Sequence, residues 1–305
     1  MTKVPFHKPA LNVTGHIDLL KQRGMIIADQ AKAEHYLRYI GYYRLSGYWF
    51  PFQYRDSTPE HDHFKPGTNF QMILDHYIFD RRLRILIMDA VERVEVSARA
   101  TISNNMSECF GPHWYLNSDY FTPEFNHTDF LVRVQQEAGI TPLNQNKQTE
   151  FIRHYLQKYD APIEPPSWMI FEILPFGNVS LIFSKLRDSE RKRIAQDYEL
   201  PRDRLQSWLH AISHIRNLCA HHSRIWNRVF GITPSTAKSE RHHVLRPKLF
   251  YNHAVAIQTL LKKISGDTHW VDRLQDLLSE YPQIPIGHMG FPNDWNMQPI
   301  WQRSS

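Results

Sequence analysis

Residues 202–230 read RDRLQSWLHAISHIRNLCAHHSRIWNRVF, and this stretch decides the fold class. It contains neither Gly nor Pro, and it follows Pro201, a residue favoured at the start of a helix. At 100° per residue its apolar side chains share one broad side, which holds Leu205, Trp208, Ile212, Ile215, Cys219, Trp226 and Val229. The pattern predicts one amphipathic helix over the whole stretch.

The opposite side of this predicted helix is polar. Its members follow each other at spacings of four, three, four, three and four residues: His210, His214, Asn217, His221, Arg224 and Arg228. By helical rise they form a stripe about 25 Å long. A solvated face normally mixes Glu and Lys, whereas this stripe contains no acid. It therefore favours a site for an anion; the alternative is a polar surface face with one buried structural arginine.

Arginine and histidine together supply what RNA cleavage without a metal requires. Histidine moves a proton near neutral pH, and arginine holds a phosphate with two parallel donors. On an ideal helix Arg216 lies about 140° from His221. Its long side chain must reach around the helix, or the helix must be distorted, or a second copy of the chain must complete the site.

The string RNLCAHHSRIWNR, residues 216–228, resembles the arginine–four residues–histidine signature, with Asn directly after the Arg, of the HEPN superfamily of all-helical ribonucleases and RNA binders. Within it the string is similar to one branch, the Abi-like abortive-infection proteins of bacteria. Three further blocks fit that branch: IGYYRLSGYW at 40–49, FDRRLR at 79–84 with VERVE at 91–95, and MGFPNDW at 289–295. The short motif alone is weak, but the four blocks in order span nearly the whole chain.

The resemblance implies roles for three residues. Arg216 would contact the scissile phosphate, His221 would act as general base or acid, and Asn217 would orient His221 or the RNA. It also implies cleavage without metal, with the ribose 2′-hydroxyl as nucleophile, and a homodimer that brings two motifs together. His222 adjoins His221 and is the alternative histidine; helical geometry favours His221, because His222 points towards the apolar side.

Further candidates are assigned to RNA binding: His214, His222, Arg224, Arg228, Arg44 and Arg81. Arg44 belongs to residues 35–55, where ten aromatic or histidine side chains alternate with three arginines. Such a mixture suits the stacking of unpaired bases, but Tyr and Trp are equally ordinary in cores and interfaces. Arg81 belongs to a short basic cluster at 81–84, and a second cluster occupies 191–193. Such clusters are usually solvated surface.

The remaining sequence also predicts helices, so the fold class is all-α. By the resemblance, we expect a HEPN-type helical bundle with additional helices. Helices are predicted at 68–110, 125–138, 147–159, 168–174, 179–186, 251–264 and 268–280. The first of these is either one long helix or two with a bend near 80–84. We expect one all-helical domain over 1–305, with a possible N-terminal subdomain at 1–64 packed on a core at 65–280. Residues 281–305 are expected to be irregular.

Composition limits the remaining classes of function. The net charge of +5 and the isoelectric point near 9.1 favour a polyanionic partner, although modestly. No apolar run has the length of a membrane span or of a signal peptide, and two cysteines give neither a disulfide framework nor a zinc set. These features predict a cytoplasmic protein without a membrane partner. No nucleotide-binding loop occurs, so no nucleotide cofactor is expected.

Histidine pairs at 61 and 63, 221 and 222, and 242 and 243 raise the question of a metal. None belongs to a ligand pattern of the zinc type, so no metal site is expected. The sequence thus predicts a metal-independent endoribonuclease of phage defence. The alternative is a non-catalytic protein that holds a structured small RNA within a defence or toxin–antitoxin system.

Overall fold

The computed structural model describes residues 5, 9–55, 61–237, 243–265 and 269–302. Over these residues the chain is all-α, as predicted, and forms no β-sheet. Its helices are α1 (Val13–Gln22), α2 (Gln30–Tyr39), α3 (Tyr42–Trp49), α4 (Phe70–Phe110), α5 (His127–Glu137), α6 (Glu150–Lys158), α7 (Ser167–Ile173), α8 (Phe176–Lys185), α9 (Asp188–Gln196), α10 (Arg202–Ala220), α11 (Phe250–Ile264) and α12 (Trp270–Glu280).

The long helix α4 is continuous and ends where its sequence predicts. The Asn69 side chain accepts a hydrogen bond from the backbone N–H of Met72 at 2.9 Å, which satisfies one unpaired donor of the first turn. Gly111 follows the helix with φ +82° and donates to the carbonyl of Ser107. Glycine adopts this left-handed conformation without a steric penalty, so the helix can end here with little cost in conformational energy. The alternative of two helices with a bend near 80–84 is wrong.

The chain divides into two compact units, and the first consists of residues 1–83 with 279–284. Its described core collects apolar side chains from α1, α2, α3 and the first part of α4, among them Leu20, Leu37 and Leu45. The Tyr48 hydroxyl donates to the buried carboxylate of Asp80 at 2.7 Å, which links α3 to α4.

The second unit consists of residues 84–278 and 285–305. Within it α10 packs against α8, α9 and α11. Its largest fully buried side chains include Trp208 on α10, Trp226 in the following loop and Trp270 on α12. The tail from residue 285 contributes short 3-10 turns that bury Trp295 and Trp301.

Two features of the second unit escaped the sequence prediction. The short helix α9 was not predicted, because its acidic start and basic end lie in a strongly polar stretch with little apolar periodicity. The expected helix over 202–230 is wrong in its last third, since α10 ends at Ala220. The subdomain limits at residues 64 and 280 remain predictions.

Candidate functional site

The end of α10 is a left-handed turn at the two adjacent histidines. Ser223 N–H donates to the carbonyl of Leu218 at 2.8 Å, and His222 N–H donates to the carbonyl of Cys219 at 3.0 Å. This pair of bonds is a Schellman motif, which satisfies carbonyls of the last helical turn. His222 occupies its left-handed position with φ +56°. His221, one residue earlier, is the C-cap of the helix.

This turn corrects the predicted polar stripe. His210, His214 and Asn217 lie on α10, but His221, Arg224 and Arg228 lie beyond its last residue. Val229, predicted on the apolar side, is 70% exposed. This helix end could not be predicted, because the left-handed position is held by His222 and not by Gly or Asn, the residues that usually mark it. The helical argument for His221 over His222 therefore no longer applies, and that choice stays a prediction.

The loop after α10 is fixed by buried side chains. Ile225, Trp226 and Phe230 are at most 1% exposed. Between them, Arg228 Nη1 lies 3.4 Å from the carbonyl oxygen of Arg224, to which it donates. Both arginines are therefore held near the end of α10 on a packed loop, although they do not continue its helix.

Arg216 is paired with a carboxylate from another helix. Its Nε lies 3.4 Å from Oε2 of Glu95 on α4, and its side chain is 37% exposed. The other oxygen of Glu95 pairs with Arg99, a buried arginine one turn further along α4. Arg99 Nη1 in turn donates to the carbonyl of Leu174 at 2.7 Å. Glu95 thus connects a buried, fully engaged arginine to the partly exposed motif arginine.

The terminal nitrogens of Arg216 remain available. Its Nε is buried against Glu95, whereas its two terminal nitrogens make no hydrogen bond within the described part of the chain. A guanidinium has five N–H donors in a rigid fork. Since Glu95 approaches at Nε, the outer edge of the fork is left for an anion.

A cleft of about 420 Å³ lies between α8 and α10. Three residues of the predicted polar side of α10 line it, namely His210, His214 and Asn217. Hydroxyl groups face them from α8, including that of the buried Ser180. The helical part of the predicted stripe therefore forms one wall of a cleft.

The surroundings of His214 lower the pKa of its imidazole. Burial is the main cause of its lowered pKa, and the positive charge of Arg228 and the neighbouring His210 lower it further.

Deeper in the same unit, burial lowers the pKa of His253 to about 4, against the opposing effect of the backbone carbonyls of Ile232 and Leu249. His253 also packs on the ring of Phe230, with centroids 4.4 Å apart.

The other two predicted RNA-binding arginines belong to the first compact unit. Arg44 is exposed on α3, and Arg81 is exposed on α4. The remaining cations of the two basic clusters are largely engaged. Arg82 pairs with Glu280, and Arg84 is buried. At 191–193 each cation pairs with an acid of α9, either Asp188 or Glu190.

The aromatic stretch at 35–55 contains both buried and exposed side chains. Tyr48 and Trp49 are buried, and Tyr42 stacks on His16, which are packing roles. Tyr39 and Tyr43 are 72% and 92% exposed. Packing thus explains part of this stretch, while direct RNA contact by the rest stays a prediction.

Neither a metal cluster nor a membrane helix is found among the described residues. No three His, Cys, Asp or Glu side chains converge there. The pair at 242 and 243 lies partly outside the described residues. Across the described helices, none combines the length and the apolar character that crossing a membrane requires.

The amino-acid sequence also matches a known protein family. The model of the family described as Abi-like protein matches residues 35–227, well over half of the chain, and the match ends just beyond the motif histidines. The chain belongs to the Abi-like family. Neither a curated protein nor a solved structure matches it.

For this Abi-like protein, sequence reasoning found the motif but missed its partners. Glu95 was noted only within a family block, because no periodicity shows that an acid of α4 meets Arg216. The cleft wall on α8, with Gly177, Ser180 and Ser184, gave no signal because small residues in an apolar helix read as packing. These contacts depend on how helices pack, which local pattern does not reveal.

Proposed function

We propose that this Abi-like protein is a metal-independent endoribonuclease of the HEPN type that acts in abortive-infection defence against phage. The observation that carries the proposal is the state of Arg216. Its Nε lies at ion-pair distance from Glu95, and its terminal nitrogens make no hydrogen bond within the described residues; Asn217 directly follows it, His221 follows five residues later, and both are exposed. A cation held in this way suits a phosphate that approaches from outside.

The proposed reaction needs only the RNA and these side chains. The ribose 2′-oxygen attacks the adjacent phosphorus, an O2′–P bond forms, and the P–O5′ bond breaks. The 2′-hydroxyl loses a proton and the departing 5′-oxygen gains one, which leaves a 2′,3′-cyclic phosphate and a 5′-hydroxyl. Arg216 would stabilise the charge on the phosphate in the transition state. His221 would transfer one of the two protons.

A second copy of the chain would supply the other proton transfer. One chain carries one such motif, whereas the reaction needs a base and an acid on opposite sides of the phosphate. A homodimer with a composite site meets this need. Mixing wild type with an excess of His221→Ala protein then lowers cleavage below the share of wild-type chains, because mixed dimers lack one proton-transfer group; a loss only in proportion to that share contradicts the composite site.

The proposal is tested with total bacterial RNA in EDTA, followed by sequencing of the new ends. Wild type is compared with His221→Ala and with His154→Ala, which removes an exposed histidine of α6 outside the site. Cleavage by wild type and His154→Ala but not by His221→Ala supports the proposal. Equal cleavage by all three contradicts the role of His221. RNA that co-purifies uncut with all three favours the non-catalytic RNA-binding alternative.

A further inference from the structure

The cleft between α8 and α10 is rich in uncharged hydrogen-bonding groups. Eight of its eleven lining residues carry a hydroxyl, amide or imidazole side chain, and none carries a permanent charge. Of the two histidines, His214 has a lowered pKa, mainly because of its burial, which favours its neutral form. The cleft has a volume of about 420 Å³, which lies in the range of sites that hold small organic groups.

Several of these groups have no partner of their own. The side chains of His210, His214 and Asn217 make no hydrogen bond within the described part of the chain, and neither does the hydroxyl of the buried Ser180. Polar groups inside a protein are normally paired. Ser180 is buried and His214 is half-buried, so their unpaired polar groups indicate a ligand that offers complementary groups, and the exposed His210 and Asn217 are open to the same ligand.

The chemistry of the walls selects the ligand class. A phosphate requires cations or several converging N–H groups, and the lining has no arginine or lysine. A nucleobase is neutral and flat, and its edges carry both donors and acceptors. The apolar side chains of Leu181 and Ile232 also line the cleft, and they suit the face of such a ring.

The position of Asn217 connects this cleft to the motif. Asn217 lines the cleft, directly follows Arg216 in the chain, and its carbonyl accepts the backbone N–H of His221 at 3.0 Å. A phosphate on Arg216 and a base in the cleft would therefore belong to one strand of RNA. This inference rests on the proposed function.

We propose that the α8–α10 cleft binds a nucleobase of the substrate RNA and so selects the nucleotide at which the chain is cut. His210, His214 and Ser180 would supply the polar contacts, and Asn217 would share its amide between the base and the cleavage site. The source of the base is the RNA substrate, as opposed to a free nucleoside acting as a regulator.

The experiment blocks the cleft without removing a polar group. Gly177 lines the cleft, and a Cβ atom added there meets no atom within 4 Å. Gly177→Leu would fill the space and raise helix propensity. Gly47→Leu is the matched control, since Gly47 lies within α3 and a Cβ atom added there also meets no atom within 4 Å. Binding of adenosine, guanosine, cytidine and uridine is measured by ligand-observed NMR, and cleavage sites are mapped by sequencing.

The proposal predicts that wild type and Gly47→Leu bind at least one nucleoside. It also predicts that Gly177→Leu weakens this binding about tenfold or more, which is about 1.4 kcal/mol, and loses the base preference at the cut. Nucleoside binding that Gly177→Leu does not weaken overturns it. Binding lost with unchanged cut sites shows a free nucleoside as the ligand and overturns the link to substrate. If neither wild type nor any variant cleaves RNA, but nucleosides bind and Gly177→Leu weakens that binding, the proposed nuclease function is wrong. The proposal of a base-binding site in the cleft is then still supported.

Discussion

Glu95 on α4 and Arg216 on α10 form an ion pair with Nε and Oε2 3.4 Å apart. The same carboxylate pairs with the buried Arg99. It therefore holds two cations of different character, one engaged in the interior and one facing outwards. This relationship fixes the motif arginine relative to α4, and it can be tested from both ends.

Glu95→Gln is expected to lower the free energy of unfolding by about 2 kcal/mol, because it leaves the buried Arg99 without its counter-charge. It should also raise the KM for RNA more than it lowers kcat, since Arg216 loses its orientation. Urea unfolding and cleavage kinetics measure the two effects. Glu92→Gln, an exposed position on the same helix, should change stability by less than about 0.5 kcal/mol. Equal effects of the two substitutions would exclude a special role for Glu95.

His222→Gly is expected to raise the free energy of unfolding by about 0.5–1 kcal/mol. The position has φ +56° within a Schellman motif, and Gly adopts this conformation without the steric penalty of a side chain. Cleavage should survive, because His221 is the assigned histidine. His222→Ala, which keeps a side chain in the left-handed conformation, is the control for stability. Loss of cleavage in a stabilised His222→Gly protein would transfer the catalytic role to His222.

Arg228→Ala is expected to weaken RNA binding and to reduce the slope of log affinity against log salt by about 1, as the loss of one phosphate contact does. It should also raise the pKa of His214, whose pKa the charge of Arg228 lowers. Salt-dependent binding and NMR titration of the His214 ring measure the two effects. Arg153→Ala, an exposed cation on α6, should leave both unchanged. A salt slope identical to wild type would remove Arg228 from the RNA contact.

Stability is expected to fall as the pH drops from about 6.5 to about 4. Burial lowers the folded-state pKa of His253 to about 4, while the unfolded chain keeps the ordinary value near 6.5. Between these values the unfolded state binds the proton and the folded state does not, so acid favours unfolding, by up to about 3 kcal/mol. Urea unfolding across this range measures the slope, and His253→Leu should flatten it. An equally steep slope in His253→Leu would assign the effect to other groups.

The fold class and the limits of most helices were predictable because they depend on local signals. Asn69 and Gly111 mark the ends of α4 through capping and left-handed geometry, both of which are visible in the sequence. The end of α10 was not predictable, because His222 holds the left-handed position that Gly or Asn usually marks. Periodicity continues through the turn, so the pattern alone extends the helix.

The residues of the candidate site also fall into a predictable group and an unpredictable group. Arg216, Asn217 and His221 were found because they are close in sequence and form a recognisable motif. Glu95 lies more than a hundred residues earlier, and Gly177 and Ser180 lie on a helix that reads as core. Which acid meets which arginine, and which two helices enclose a cleft, depends on tertiary packing that a single sequence does not encode locally.

The most direct test of the central claim uses a short RNA that spans a mapped cut site, prepared with ribose throughout or with one 2′-deoxyribose at the attacking nucleotide. Both are incubated with wild type and His221→Ala in EDTA, and the products are identified by mass spectrometry. Only wild type is expected to cut, only the all-ribose RNA is expected to be cut, and the products are expected to carry a 2′,3′-cyclic phosphate and a 5′-hydroxyl. Cleavage of the deoxy-substituted RNA at the same bond, or products with a 5′-phosphate, would contradict attack by the 2′-hydroxyl.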